Sequence, residues 1–109
     1  MVERIPSGTR DVLPDETREV RAITDTLRGV SEKNGYGEVY TPALEYETVL
    51  ARGDMAEAQP AYRVFDETGA ALVLRSDMTV PIARVVATRY PTAEPPLRFC
   101  YFAHCYRAC

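Results

Sequence analysis

Apolar side chains recur at helical spacing near the start of the chain. The repeat covers one face of an amphipathic helix and consists of Val20, Ile23, Leu27 and Val30. Pro14 and the acidic pair Asp15-Glu16 suit a first helical turn. Asn34 and Gly35 provide a stop, since glycine readily adopts the left-handed conformation of a helix C-terminus. The pattern predicts a helix that follows Pro14 and stops at Asn34-Gly35.

Strand patterns and turn residues dominate the next part of the sequence. Residues 62–65 and 71–74 flank Asp-Glu-Thr-Gly, which predicts a β-hairpin with Gly69 at positive φ. Residues 38–40 predict a short strand that ends at Pro42, because proline has no N–H to donate to a ladder. Residues 45–52 predict two helical turns with Glu45 and Glu47 on a solvated face, and residues 53–60 predict a loop. Residues 97–106 predict a long strand rich in aromatic side chains.

A charged and hydroxylated corner separates the strand at residues 71–74 from a second helix that ends near Arg89. Arg75, Ser76, Asp77 and Thr79 lie in or beside this corner. Ser76 or Asp77 can cap the helix, and Pro81 suits the first turn, where a missing N–H costs little. Two interpretations remain open: a ligand site at the end of a rigid strand, or a capped helix without a ligand.

Composition and charge limit the classes of function. The chain has 109 residues, 46% of them hydrophobic and 27% charged, which is typical of one globular domain, assigned as residues 1–109. We find no apolar run long enough to span a membrane and no signal peptide, and we expect a cytoplasmic protein. The net charge of −3 argues against nucleic-acid binding. Residues 69–109 hold five arginines against two acids, so an anionic ligand is expected there.

Three cysteines and the single histidine lie in the last ten residues of the chain. Cys100, Cys105 and Cys109 have a C-x4-C-x3-C spacing, which differs from that of zinc and ferredoxin sites. An odd number of cysteines argues against a disulfide framework. Cys105 is adjacent to His104, and neighbouring residues of a strand point to opposite faces, so a Cys-His nucleophile is not expected. We predict no metal, no cofactor and no catalytic residue, and small apolar strand roles for the cysteines.

A long apolar strand at the C-terminus lacks the turn and partner strand that would normally satisfy its edge. We therefore expect a truncated chain.

Three collinear segments carry a family signature. Residues 8–14 have the sequence Gly-Thr-Arg-Asp-Val-Leu-Pro, and residues 35–45 have the sequence Gly-Tyr-Gly-Glu-Val-Tyr-Thr-Pro-Ala-Leu-Glu. Residues 98–107 run from Arg98 to Arg107. These segments resemble the G-T-R-D-x-L-P start, motif 1 and the first motif 2 strand of the histidyl-tRNA synthetase family. The resemblance covers essentially the whole chain. It implies an α+β fold, namely the N-terminal portion of a class II aminoacyl-tRNA synthetase-like antiparallel sheet flanked by helices, truncated after the first motif 2 strand.

The corner resembles one branch of this family. Residues 74–79, Leu-Arg-Ser-Asp-Met-Thr, and residues 82–89, Ile-Ala-Arg-Val-Val-Ala-Thr-Arg, resemble the L-R-P-D-M-T and I-A-R-x-x-A-T-R of ATP phosphoribosyltransferase regulatory subunits. Synthetases carry L-R-P-E-G-T, so Asp77 replaces the glutamate that holds the ammonium group of histidine, and Met78 replaces a glycine. Ser76 and residues 108–109 depart from the family pattern, which leaves the geometry of the site open.

The resemblance also implies partners and roles. It implies a regulatory subunit, without catalysis of its own, that pairs with the short catalytic ATP phosphoribosyltransferase subunit in the first step of histidine biosynthesis. This subunit would form a homodimer through motif 1 and help sense L-histidine. Asp77 and Thr79 would contact the ammonium group and Arg107 the carboxylate or a phosphate, while Arg75 would be a structural ion-pair partner.

Structural alternatives remain for the implied ligand contacts. Asp77 and Thr79 could be helix caps, and Arg107 could be an exposed charge at a strand end. A histidine–tRNA ligase and a fragment that makes only partner contacts are the alternative functions.

Overall fold

The computed structural model describes residues 4–52 and 61–107. Its elements in chain order are α1 (Pro14–Lys33), β1 (Gly37–Glu38), β2 (Leu44–Tyr46), α2 (Glu47–Arg52), β3 (Arg63–Phe65), β4 (Ala71–Leu74), α3 (Thr79–Arg89) and β5 (Phe99–Cys100). The chain divides into two compact units, Met1–Gly37 and Glu38–Cys109. The α+β class is confirmed. The predicted loop at 53–60 and Cys109 lie outside the described residues, and the single-domain assignment stays a prediction.

Local signals set both ends of α1, as the sequence predicts. The helix begins at Pro14 and has Asp15 and Glu16 in its first turn. Asn34 caps its C-terminus, and Gly35 follows with φ +80°. Arg10 donates two hydrogen bonds to the Glu16 carboxylate, at 2.7 and 2.6 Å, and these bonds hold the pKa of Glu16 below its ordinary value. The start of α1 is therefore fastened to the segment that precedes it.

The predicted apolar face of α1 is open to solvent in this structure. Its four side chains are each more than half exposed: Val20, Ile23, Leu27 and Val30. No residue of α1 is buried. The helix is amphipathic as predicted, and local capping and ion pairs fix its ends.

The second unit contains a three-stranded antiparallel sheet in the order β2-β4-β3. β4 is the central strand, and Val73 pairs with both Glu45 of β2 and Arg63 of β3. Leu50 from α2 and Val80 from α3 pack with Val73 in the core. The end of β4 is thus held between two neighbouring strands and two helices.

The predicted β3–β4 hairpin is confirmed, and an aspartate organises its turn. Asp66 Oδ1 accepts hydrogen bonds from the Thr68 N–H (2.9 Å), the Thr68 hydroxyl (2.7 Å) and the Ala70 N–H (2.9 Å). Gly69 has φ +85°, the left-handed conformation that the sequence predicts for it. The Thr68 hydroxyl, followed by the Ala70 N–H, holds the pKa of the Asp66 carboxyl below its ordinary value.

We expect Asp66→Asn to reveal an acid-dependent part of the stability. A carboxylate with a lowered pKa stabilises the fold above its unfolded-state pKa of about 4 and loses that contribution as pH falls through its folded-state value. The free energy of unfolding of wild type should therefore exceed that of Asp66→Asn by less and less as the pH falls from about 6 to about 3, a range that spans the reference pKa of aspartate. Urea unfolding at several pH values measures it, and a difference that is constant across the range would contradict the assignment.

Three predicted elements differ from the structure. Residues 45–52 were predicted to be wholly helical, but Glu45 and Tyr46 belong to β2, because ladder pairing with Val73 and Leu72 outweighs local helix propensity. The predicted strand at 97–106 is regular only at Phe99–Cys100, where β1 is its partner. The short strand predicted at 38–40 appears as Gly37–Glu38, and the Val39 N–H donates to the Cys100 carbonyl at 3.0 Å.

Candidate functional site

The corner between β4 and α3 is built on buried residues. Arg75 and Ser76 are buried, and Met78 and Pro81 are fully buried. The Thr41 hydroxyl lies 3.8 Å from the Met78 sulfur. Pro81 lies in the first turn of α3, as predicted, where its missing N–H breaks no helical bond. The packing holds the backbone of the corner rigidly between strand and helix.

Asp77 and Thr79 lie together at the surface of this corner. Asp77 is half-buried and Thr79 is exposed. The prediction that Ser76 or Asp77 caps α3 is wrong, because the N-cap is Met78 and no side chain caps it. Asp77 Oδ1 instead accepts a hydrogen bond from the Thr79 N–H at 3.0 Å, which closes the turn at the start of the helix. Within the described part of the chain, no donor bonds to Oδ2. Asp77 therefore stabilises the turn with one carboxylate oxygen, and its second oxygen is not used in that bond.

Arg75 is structural, but its partners are not carboxylates. Its Nε donates to the His104 carbonyl at 2.7 Å and Nη1 donates to the Thr41 carbonyl at 2.8 Å. Its backbone N–H donates to the Ala43 carbonyl at 2.9 Å, and its own carbonyl accepts the Tyr106 N–H at 2.8 Å. The predicted ion-pair partner is thus replaced by backbone carbonyls of two other segments.

A hydrogen bond of the neighbouring Tyr106 places Arg107 next to the corner. Tyr106 is hydrogen-bonded to the carbonyl of Arg75, and Arg107 follows directly with an exposed side chain. The backbone thus brings the segment that carries Arg107 next to the corner that carries Asp77 and Thr79. A carboxylate and a guanidinium at one edge suit a zwitterionic ligand, since each side chain can pair with one of its charges.

A buried ion pair behind the corner was not predicted from the sequence. Arg84 Nε of α3 lies 2.6 Å from Glu45 Oε1 of β2, and the Glu45 side chain is only 5% exposed. The Nε–H bond is not directed at that oxygen, and Glu45 Oε2 has no hydrogen-bond partner in the described ranges. The pair borders a cavity of about 550 Å³ that Tyr40 and Arg89 also line.

The prediction that Glu45 lies on a solvated face is wrong. Glu45 is the inward residue of β2, where the burial pattern alternates exposed, buried, exposed. Leu44 and Tyr46 lie on the exposed face of the strand, which is the reverse of what their polarity would predict, so the sequence alternation could not have indicated this burial.

The C-terminal cysteines and the remaining surface show no further cluster. Cys100 is half-buried and Cys105 is exposed, and both are free thiols. Across residues 4–52 and 61–107, no group of three or more His, Cys, Asp or Glu side chains is arranged to hold a metal ion. In the same ranges no helix is long and apolar enough to cross a membrane.

Comparison with known proteins identifies the family of the whole chain. The family model for histidyl-tRNA synthetase matches residues 8–109. An ATP phosphoribosyltransferase regulatory subunit from Symbiobacterium thermophilum is 42% identical over 106 residues, which are 95% of this chain and 27% of that protein. A histidine–tRNA ligase from Archaeoglobus fulgidus is 39% identical over 107 residues, which are 97% of this chain and 26% of that protein. The chain therefore spans about a quarter of the length of these relatives.

A solved structure shows the same fold. The regulatory subunit/histidyl-tRNA synthetase from Bacillus halodurans superimposes with a TM-score of 0.86 at 36% identity, covering 96% of this chain and 28% of that one. The expected class II synthetase-like α+β fold is confirmed, with the matched region covering the N-terminal motifs found in the sequence. The family match over residues 8–109 and the shared fold place this chain in the histidyl-tRNA synthetase family.

Proposed function

We propose that this protein is a regulatory subunit of ATP phosphoribosyltransferase that binds L-histidine and has no aminoacylation activity of its own. The observation that carries the proposal is the corner itself, with a half-buried Asp77 beside a fully buried Met78. These are the residues that resemble the regulatory branch, where synthetases have glutamate and glycine. Relatives from both branches are similar to this chain, so the corner is the feature that favours one of them.

Histidine binding follows from the charges at the corner. The free oxygen of Asp77 accepts the ammonium group of the ligand, with the Thr79 hydroxyl beside it. Arg107 donates to the ligand carboxylate, and its planar guanidinium can bond both oxygens at once. These contacts, the cytoplasmic location and the pairing with a short catalytic ATP phosphoribosyltransferase subunit are parts of the same proposal.

The arginines near the corner argue against an adenylate-forming site in this region. Adenylation joins two anions, and cationic groups must surround the charge that develops in the transition state. Arg75 is committed to backbone carbonyls and Arg84 to Glu45. Of these three arginines, Arg107 keeps its guanidinium for a ligand, at the position that the family pattern gives to a ligand-binding arginine, and it supplies one cationic group where that reaction needs several.

The runner-up function is histidine–tRNA ligase, because the Archaeoglobus fulgidus protein is nearly as similar. Histidine-dependent ATP–pyrophosphate exchange tests the choice on the longest natural form of the protein. We expect exchange no faster than in a control without histidine. Clear exchange would overturn the regulatory assignment in favour of the ligase.

We also propose a homodimer through residues 35–44, the segment that resembles motif 1. Tyr40 is 76% exposed in this segment, and large exposed aromatic side chains are enriched at interface hot spots. Tyr40→Glu should therefore shift the longest natural form from dimer to monomer in sedimentation experiments. Tyr62→Glu is the matched control, since Tyr62 is also exposed and lies outside the segment. A wild-type protein that is folded and strictly monomeric would contradict the proposal.

A further inference from the structure

Arg75 connects three segments that are distant in sequence. Its guanidinium bonds the carbonyl of Thr41, 34 residues before it, and the carbonyl of His104, 29 residues after it. Its backbone bonds Ala43 on the first segment and Tyr106 on the second. Arg75 thus makes four hydrogen bonds, three as donor and one as acceptor. They connect the segment after β1 and the segment before Arg107 to the end of β4.

The chemistry of the side chain suits this role. A guanidinium is planar and its donors are fixed in a fork, so one arginine can reach two carbonyls in different directions. Lysine would keep the charge but presents its donors from a single nitrogen, and cannot hold Nε and Nη1 positions together. Arg75 is only 9% exposed, and a buried polar group is retained at a cost unless its hydrogen bonds are made. The buried guanidinium is therefore stable only while it keeps its hydrogen bonds to the Thr41 and His104 carbonyls.

We propose that Arg75 is a positioning residue that sets the distance between Arg107 and Asp77, and thereby the fit of the site to the carboxylate of its ligand. Arg75 does not touch the ligand in this account. It acts through residues 104–106, which it holds by a side-chain bond to the His104 carbonyl and a backbone bond from the Tyr106 N–H. The identity of the ligand rests on the proposed function, whereas the role of Arg75 in holding residues 104–106 does not.

Amide hydrogen exchange in the longest natural form of the protein tests whether Arg75 holds residues 104–106 in place. Arg75→Lys should raise the exchange rate of the Tyr106 N–H, which bonds the Arg75 carbonyl, by about tenfold or more, because local opening of residues 104–106 becomes easier. Val73→Ala is the control, since it weakens the core without touching a bond of Arg75 and should leave residues 104–107 no faster than the rest of the sheet. Equal exchange in wild type and Arg75→Lys would overturn the proposal whatever the ligand.

The effect on the ligand is tested by a double-mutant cycle measured with L-histidine. Arg75→Lys should weaken binding roughly tenfold in the wild-type background but less than about twofold in an Arg107→Ala background, because residues that act through one another are not additive. Histamine, which lacks the carboxylate, should bind both Arg75 variants alike. Additive losses would overturn the positioning role. If wild type does not bind histidine, the proposed function and the effect of Arg75 on ligand binding are both refuted. The hydrogen-exchange result still tests whether Arg75 holds residues 104–106 in place.

If Arg75→Lys does not fold, the exchange rate of the Arg75 Nε–H proton in the wild-type protein tests the proposal instead. A buried bond of 2.7 Å to the His104 carbonyl should protect that proton from exchange with solvent. Exchange as fast as at the exposed Arg18 would overturn the proposal.

Discussion

Asp77→Asn is expected to weaken the binding of L-histidine by about tenfold to a hundredfold. A charge-assisted hydrogen bond to an ammonium group contributes roughly 1.5–3 kcal/mol, which corresponds to that range in Kd. Asparagine is the informative substitution because its amide oxygen can still accept the Thr79 N–H that Asp77 Oδ1 accepts at 3.0 Å. The hydrogen bond to the Thr79 N–H is then kept while the charge is removed. Calorimetry on the longest natural form measures the affinity.

A matched control lies in the hairpin. Asp66 accepts backbone N–H groups in the same way at the β3–β4 turn, and Asp66→Asn should leave histidine affinity unchanged. Loss of affinity in Asp77→Asn with no change in its unfolding midpoint would identify the carboxylate as a ligand contact. Unchanged affinity would leave Asp77 with only its structural role in the turn before α3.

Glu45→Gln is expected to lower the free energy of unfolding by about 2 kcal/mol. Removing one partner of a fully buried ion pair costs about 3–5 kcal/mol, because the other charge is left uncompensated. The cost here is smaller because the Arg84 side chain is 28% exposed and water can solvate part of its charge. Equilibrium urea unfolding measures the change.

The chain also contains a control ion pair of equal length. Glu47 and Arg63 lie 2.6 Å apart, as Glu45 and Arg84 do, but their side chains are 36% and 60% exposed. Glu47→Gln should cost less than about 1 kcal/mol, as is usual for surface pairs. Similar losses in the two variants would show that burial does not set the contribution of the Glu45–Arg84 pair.

Features with local causes were predictable from the sequence. Pro14 and Gly35 set the limits of α1, and Gly69 set the turn of the hairpin, because each acts on the backbone within a few residues of its own position. The side-chain cap predicted for α3 is an exception, because the N-cap is Met78 and Asp77 instead bonds the N–H two residues further on.

Features with distant partners were not predictable in the same way. The location of Glu45 in a strand depends on pairing with Val73, 28 residues later in sequence, and its ion pair depends on Arg84 of α3. Arg75 was assigned a structural role, but nothing in the sequence indicates that its acceptors are the carbonyls of Thr41 and His104. The length of β5 likewise depends on how much of β1 is available for pairing. In each case the deciding interaction forms only after the chain has folded.

The assignment of Asp77, Thr79 and Arg107 as histidine contacts remains a prediction. The structure brings their backbone segments to one corner through the bond between Tyr106 and Arg75. What the corner binds depends on side-chain geometry with a ligand present, and the binding experiments above address it directly.

The most direct test of the regulatory assignment is an activity assay with a catalytic partner. The longest natural form of the protein is mixed with a short-form ATP phosphoribosyltransferase subunit, and the rate is measured with and without L-histidine. We predict that the protein stimulates the partner and that histidine reduces the stimulated rate, with Asp77→Asn blunting the response to histidine. No stimulation of the partner, together with histidine-dependent ATP–pyrophosphate exchange by the protein alone, would contradict the account.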